Sequence, residues 1–175
     1  MSDIILAILF ILSGFFMKYS DDLYDVNHNV LFASFFGLLC AIATATATVS
    51  YAGAAYVFLA ILIGNLIVLK VDGIHHIITL LLFVMICLIC GIPNLNLIVL
   101  LICIVAAIFD EVGHETISKV TGNVFLNVFF EYRFVMKLAI FFLAFSGAFS
   151  ILVFIYFILF ELAYVSAGIV FESLN

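Results

Sequence analysis

The charged residues of this chain are few and bunched, and the stretches between them are apolar over lengths that can cross a hydrocarbon layer. A bilayer core about 30 Å thick asks for about 20 helical residues of this kind. Six stretches qualify, at residues 3–19, 30–49, 53–70, 75–91, 95–110 and 136–160. Of the 175 residues, 69% are hydrophobic and 9% charged, whereas a soluble domain carries about a quarter charged residues. No soluble core could hide so many Phe, Leu and Ile side chains, so lipid must solvate most of them. The expectation is an all-α polytopic transmembrane helix bundle of about six spans, one integral membrane domain over residues 1–175. Its first partner is the lipid bilayer, and a formal charge of −6 gives no argument for nucleic acid.

The four cysteines, Cys40, Cys87, Cys90 and Cys103, all lie within apolar runs. They read as small packed residues rather than a redox pair. The first apolar run has no basic segment before it and no small-x-small cleavage site after it, so it reads as a retained helix.

Sidedness follows from the polar residues. If the first span ends on one face, Lys18, Lys70, Lys119, Arg133 and Lys137 all fall on that face, and none falls opposite. The positive-inside bias makes that face cytoplasmic and leaves both termini outside. All four histidines and most carboxylates share it, while Asp3, Glu161 and Glu172 are expected opposite. A segment at about 116–135 is too polar for a seventh span and too apolar for a free loop. Lys119, Asn123, Asn127 and Glu131 recur every four residues along it, which predicts an interfacial helix over the cytoplasmic end.

Three polar clusters on that face have helical spacing. Asp21, Asp25 and His28 follow i, i+4, i+7, with Asp22 three before Asp25; Asp72, His75 and His76 follow i, i+3, i+4; Asp110 and His114 are four apart, as are Glu111 and Glu115. Side chains three or four apart share a helix face, so each cluster can offer two or three ligands in one direction. A divalent ion needs oxygens or imidazoles arriving from several elements. Helix ends at a membrane surface also carry charges without any site, and Asp at a helix start caps free N–H groups.

The stretch DDLYDVNHN resembles the first aspartate-rich motif of the UbiA superfamily of intramembrane prenyltransferases, N-D-x-x-D-x-x-x-D. Asp22 and Asp25 match its first two aspartates; Asp21 stands where the family has Asn, and Asn29 where it has the third Asp. DEVGHETISKVTGN is similar to the second motif, with Asp110 at its first aspartate and His114 or Glu115 at its second. The resemblance implies that Asp22, Asp25 and Asp110, with His114, Glu115 and Asp72 near them, hold Mg²⁺, which grips an isoprenyl diphosphate. Charge neutralisation would help the diphosphate leave as an allylic cation forms. Lys70 and Lys119, with His75 and His76, would contact the substrate. The histidines also suit Zn or Fe.

Other classes stay open. Asp25 and Asp72 could form the paired carboxylates of an intramembrane aspartyl protease. The His and carboxylate ligands could serve a metal-dependent membrane hydrolase or a cation-binding or transport protein, and a non-catalytic scaffold fits the composition. Asn65 and the small-residue run Thr44, Thr46 and Thr48 are the polar groups expected within the bundle, and the threonines read as close-packing residues.

Overall fold

The structure is a computed structural model that describes residues 1–71, 73–120 and 123–174, the side chains of 118–120 excepted. Its elements are α1 (Asp3–Asp25), α2 (Val30–Ser50), α3 (Ala52–Ile67), α4 (Ile74–Cys90), α5 (Leu97–Val120), α6 (Val124–Glu131), α7 (Phe134–Phe145) and α8 (Ile151–Leu174). There is no strand among the described residues. Helices α1, α2, α5 and α8 are long and apolar enough to cross a membrane, while α3, α4 and α7 are apolar but shorter. Large apolar side chains such as Leu88, Ile89, Ile98 and Phe145 are about seven-tenths or more exposed on the outside of the bundle. Lipid is the solvent that suits them, and the chain is a helical membrane protein.

Helix α1 lies between α2 and α8; α2 also packs on α4, α3 on α5, and α7 between α5 and α8. Small residues permit the close approaches. On α1, Gly14 faces the backbone of Phe160 so closely that any Cβ would strike its carbonyl oxygen. On α2, Ala41, Ala43, Ala45 and Ala47 are buried together with Thr44 and Thr48, as the close-packing reading of that run expects. The Thr44 hydroxyl donates to its own helix, to the carbonyls of Cys40 and Ala41. Dispersion then replaces the hydrophobic effect, which is absent between helices already in lipid. All four cysteines are free; Cys40 and Cys103 are buried, but Cys90 is exposed on the outer surface.

Three features differ from the sequence reading. The aspartates of SDDLYD belong to a helix: α1 runs on past the expected boundary to Asp25, and a turn with His28 at φ 50° leads to Asn29. Asn29, where the resembling motif has its third Asp, caps α2 by accepting from the Phe32 N–H at 3.2 Å. This is the ordinary side-chain solution to an unsatisfied helix start.

The segment at 116–135 is not one helix. Helix α5 continues to Val120, α6 begins after its cap Asn123, and Arg133 in the left-handed region (φ 49°) separates α6 from α7. The stripe from Lys119 to Glu131 is therefore divided among elements, and the side chain of Lys119 lies outside the described residues.

The expected span at 136–160 is two helices. Gly147 takes φ 79°, a conformation that costs other residues about 1–2 kcal/mol, and the chain reverses there. Helix α8 then runs parallel to α1: Phe10 meets Tyr156, Gly14 meets Phe160, and Tyr19 meets Phe171. The start of α1 and the end of α8 thus lie at opposite ends of the bundle, not on the same side as expected. Glu172 moves to the end that holds the polar clusters and Glu161 to the middle of α8. Among the described carboxylates only Asp3 remains at the far end.

Candidate functional site

At the end where α1, α3 and α5 finish and α4 begins, the bundle encloses a cavity of about 380 Å³. All three clusters reach it. Helix α1 supplies Lys18, Asp21 and Asp25, the α3–α4 connection Lys70, α4 His76, and α5 Glu111 and His114. Arg133 and Tyr164 close one wall. Further along the helices the lining is mainly apolar, with Cys40, Phe58, Leu62, Leu80 and Phe83 joined by Thr44, Asn65 and Thr79; Phe83 stands two turns beyond His76 on α4. The cavity has a charged mouth and an apolar depth.

Ion pairs tie the mouth together. Glu111, with its side chain 8% exposed, lies 3.3 Å from both Lys70 and Arg133, and Glu115 lies 2.7 Å from Lys70. The α3–α4 connection, α5 and the α6–α7 junction are thereby clamped around one carboxylate. Hydrogen bonding to Glu115 and the nearby Glu111 charge hold the Lys70 ammonium above its usual range. Lys18 pairs with Asp22 one turn on at 2.8 Å, and both Lys18 and Arg133 approach the Tyr164 ring, at 5.8 and 5.5 Å from its centre. Below the mouth, Lys137 and Glu161 form a 3.1 Å pair between α7 and α8, both largely buried. His114 lies 3.6 Å from Glu131, which brings α6 back onto α5.

Asp110 does something else. It is 3% exposed and accepts from the backbone N–H groups of Val135 at 2.9 Å and Met136 at 2.7 Å. Helix α7 is 12 residues, about 18 Å at 1.5 Å per residue, so its start lies well inside a layer about 30 Å thick. Helix starts leave N–H groups unsatisfied, and a start set within a bundle needs partners from the protein. A carboxylate from α5 satisfies two of them and favours the positive end of the helix dipole.

One cluster has the geometry of a metal centre. One ligand atom from each of Asp21, His75 and His76 lies within 4.8 Å of the others. Asp21 Oδ1 is 3.6 Å from His75 Nε2 and 3.8 Å from His76 Nε2. The His75 ring is 2% exposed and stacked between His76, 3.9 Å away by ring centres, and Tyr24, 4.2 Å away. Neither of its ring nitrogens has a hydrogen-bond partner among the described residues. Gly73 makes this seat possible, because a Cβ there would lie 2.5 Å from His75 Nδ1.

The residues expected from sequence divide as follows. Asp25, Lys70, His76 and His114 line the cavity, and His75 sits behind His76. Asp22 is turned towards Lys18, Glu115 towards Lys70, and Asp110 towards α7, and none of the three lines the cavity. Asp72 lies outside the described residues. Asp21 was visible in the sequence through its i, i+4 spacing to Asp25; Asp22, three before Asp25, was equally eligible, and it is the structure that turns Asp22 to Lys18. Glu111 and Arg133 become site residues through tertiary packing, and no spacing announces Arg133.

Fold and cavity together define a helical membrane protein with an acidic and histidine-bearing cavity at one end of its bundle. No protein-family model, curated protein or solved structure matches the chain.

Proposed function

We propose that the protein binds an amphipathic molecule with an anionic headgroup in this cavity, with the cavity end facing the cytoplasm. The observation that carries the reading is the lining itself: Lys18, Lys70 and Arg133 stand at the mouth among Asp21, Asp25 and Glu111, and Phe58, Leu62, Leu80 and Phe83 lie beyond. Each cation is already paired with a carboxylate that an anionic head would have to replace. An anionic head gains charge-assisted hydrogen bonds at the mouth, and a tail gains apolar contact at depth. The gathering of all Lys and Arg positions towards one end supports the cytoplasmic orientation. Isoprenyl diphosphates, the substrates of the family that DDLYDVNHN resembles, belong to this class of ligand. Prenyl transfer from such a diphosphate is the reaction that this resemblance suggests. Asp22 and Asp110, two of the three carboxylates it would use for Mg²⁺, have other partners here.

The test is a competition experiment on purified protein in detergent, using a labelled isoprenyl diphosphate. An unlabelled isoprenyl diphosphate is expected to displace the label at concentrations at least tenfold lower than either inorganic diphosphate or the free isoprenyl alcohol. Equal displacement by inorganic diphosphate would remove the tail from the proposal, and equal displacement by the alcohol would remove the head.

A further inference from the structure

We propose that Asp21, His75 and His76 hold a divalent transition-metal ion, of the Zn²⁺ or Fe²⁺ kind, at the wall of the cavity. The proposal does not depend on the identity of the amphipathic ligand. It rests on three observations at one place.

The first is separation. At 3.6 and 3.8 Å, the contacts from Asp21 to the two imidazoles are longer than hydrogen bonds, which run about 2.7–3.2 Å. Two ligands on one tetrahedral ion, with bonds near 2.0 Å, stand about 3.3 Å apart. The observed spacing is therefore wide for direct hydrogen bonding, and closing on an ion requires the His76 ring, now 35° from the plane of His75, to turn so that the two nitrogens converge.

The second is the state of His75. A neutral imidazole carries one N–H donor and one acceptor. Burying it at 2% exposure with both nitrogens unpartnered among the described residues is costly, because each unmet group has lost its hydrogen bonds to water. A metal bond at Nε2 removes the acceptor's part of that cost. The ring is also positioned, held between Tyr24 and His76 and seated over Gly73.

The third is access. Asp21 and His76 line the cavity while His75 closes the back. Three protein ligands with an open side facing a cavity is the arrangement of sites that take a further ligand, rather than of closed structural sites. Two imidazoles to one carboxylate favour a borderline ion over Mg²⁺, which prefers oxygen and keeps its waters. Residues 75 and 76 are adjacent, so no i, i+4 pattern marks the pair; it becomes a chelate because α1 ends beside the start of α4.

The experiment uses the full chain in detergent, stripped of metal and titrated with Co²⁺ in the absence of any diphosphate. The expected result is one saturable Co²⁺ per chain with the visible absorption of a low-coordinate nitrogen and oxygen site, displaced by Zn²⁺. A roughly hundredfold excess of Mg²⁺ over Co²⁺ is expected not to displace it. His76→Ala and Asp21→Asn are each expected to weaken binding at least tenfold, while the exposed His28→Ala leaves it unchanged. Absence of stoichiometric binding, displacement by Mg²⁺, or equal affinity in both site variants would each overturn the proposal. The Mg²⁺ competition needs no variant, so a misfolded mutant does not leave the question open. Because no isoprenyl diphosphate is present, failure here leaves the ligand reading standing, and success does not supply it.

Discussion

Asp110 shows how one side chain can serve architecture where its sequence context suggests chemistry. In DEVGHE it looks like the lead carboxylate of a metal-binding motif, yet it accepts from Val135 and Met136 and secures the buried start of α7. Hydrogen bonds to a charged group are worth about 1.5–3 kcal/mol each. Asp110→Ala is therefore expected to destabilise the protein by about 3 kcal/mol or more in detergent denaturation, with Asp110→Asn costing less because one acceptor remains. Lys70 gives the opposite case. Its pairs with Glu115 and Glu111 are partly exposed, and such pairs contribute about 0–1 kcal/mol. Its raised pKa fixes the sign of the pH dependence. The contribution is fully present below the unfolded-state value near 10.4 and is lost only as pH rises through the higher folded value. Thermal unfolding of Lys70→Met should thus differ slightly from wild type at pH 7 to 9, and not at all once Lys70 is neutral in both states.

At the scale of elements, hydropathy identified most helices and misjudged where they stop. Apolar runs report burial or lipid, and a run continues unbroken in composition through a reversal as small as that at Gly147. The residues 136–160 read as one span because nothing charged interrupts them after Lys137; Ser146, the left-handed Gly147 and Ser150, whose hydroxyl accepts from the Leu152 N–H, are the local signs of the break between α7 and α8. Gly147→Val is expected to cost about 1–2 kcal/mol, from the positive φ alone, with helical content unchanged by circular dichroism. The polar ends were misread in the other direction. Aspartates beside an apolar run suggest that the helix has left the membrane, whereas α1 continues through Asp21, Asp22 and Asp25 and thereby sorts them onto two faces. The convergence of the three clusters was legible from the alternation of spans. Which member of each cluster faces the cavity was not, because that depends on helix rotation set by Gly14, the α2 alanines and other contacts distant in sequence.

For the whole molecule, the reversal at Gly147 has a topological consequence. With α1 and α8 parallel and both long enough to span, a cysteine placed at Ser2 and one placed at Ser173 are expected to react with an impermeant thiol reagent from opposite faces of sealed vesicles, in a background free of exposed native thiols. Labelling from the same face would restore the single helix at 136–160. The same architecture gathers most of the described charges towards one end of the bundle, where Lys18, Asp21, Asp25, Lys70, Glu111 and Arg133 line a cavity that continues into mainly apolar walls. That combination is the basis of the ligand reading, and its most direct test is equilibrium binding of a labelled isoprenyl diphosphate to three forms of the purified chain. Wild type and Leu88→Trp, altered on the outer surface, are expected to bind one equivalent with equal affinity, and Leu80→Trp, which fills the apolar depth, at least tenfold more weakly. Absence of saturable binding to wild type, or equal binding by Leu80→Trp, would contradict the account.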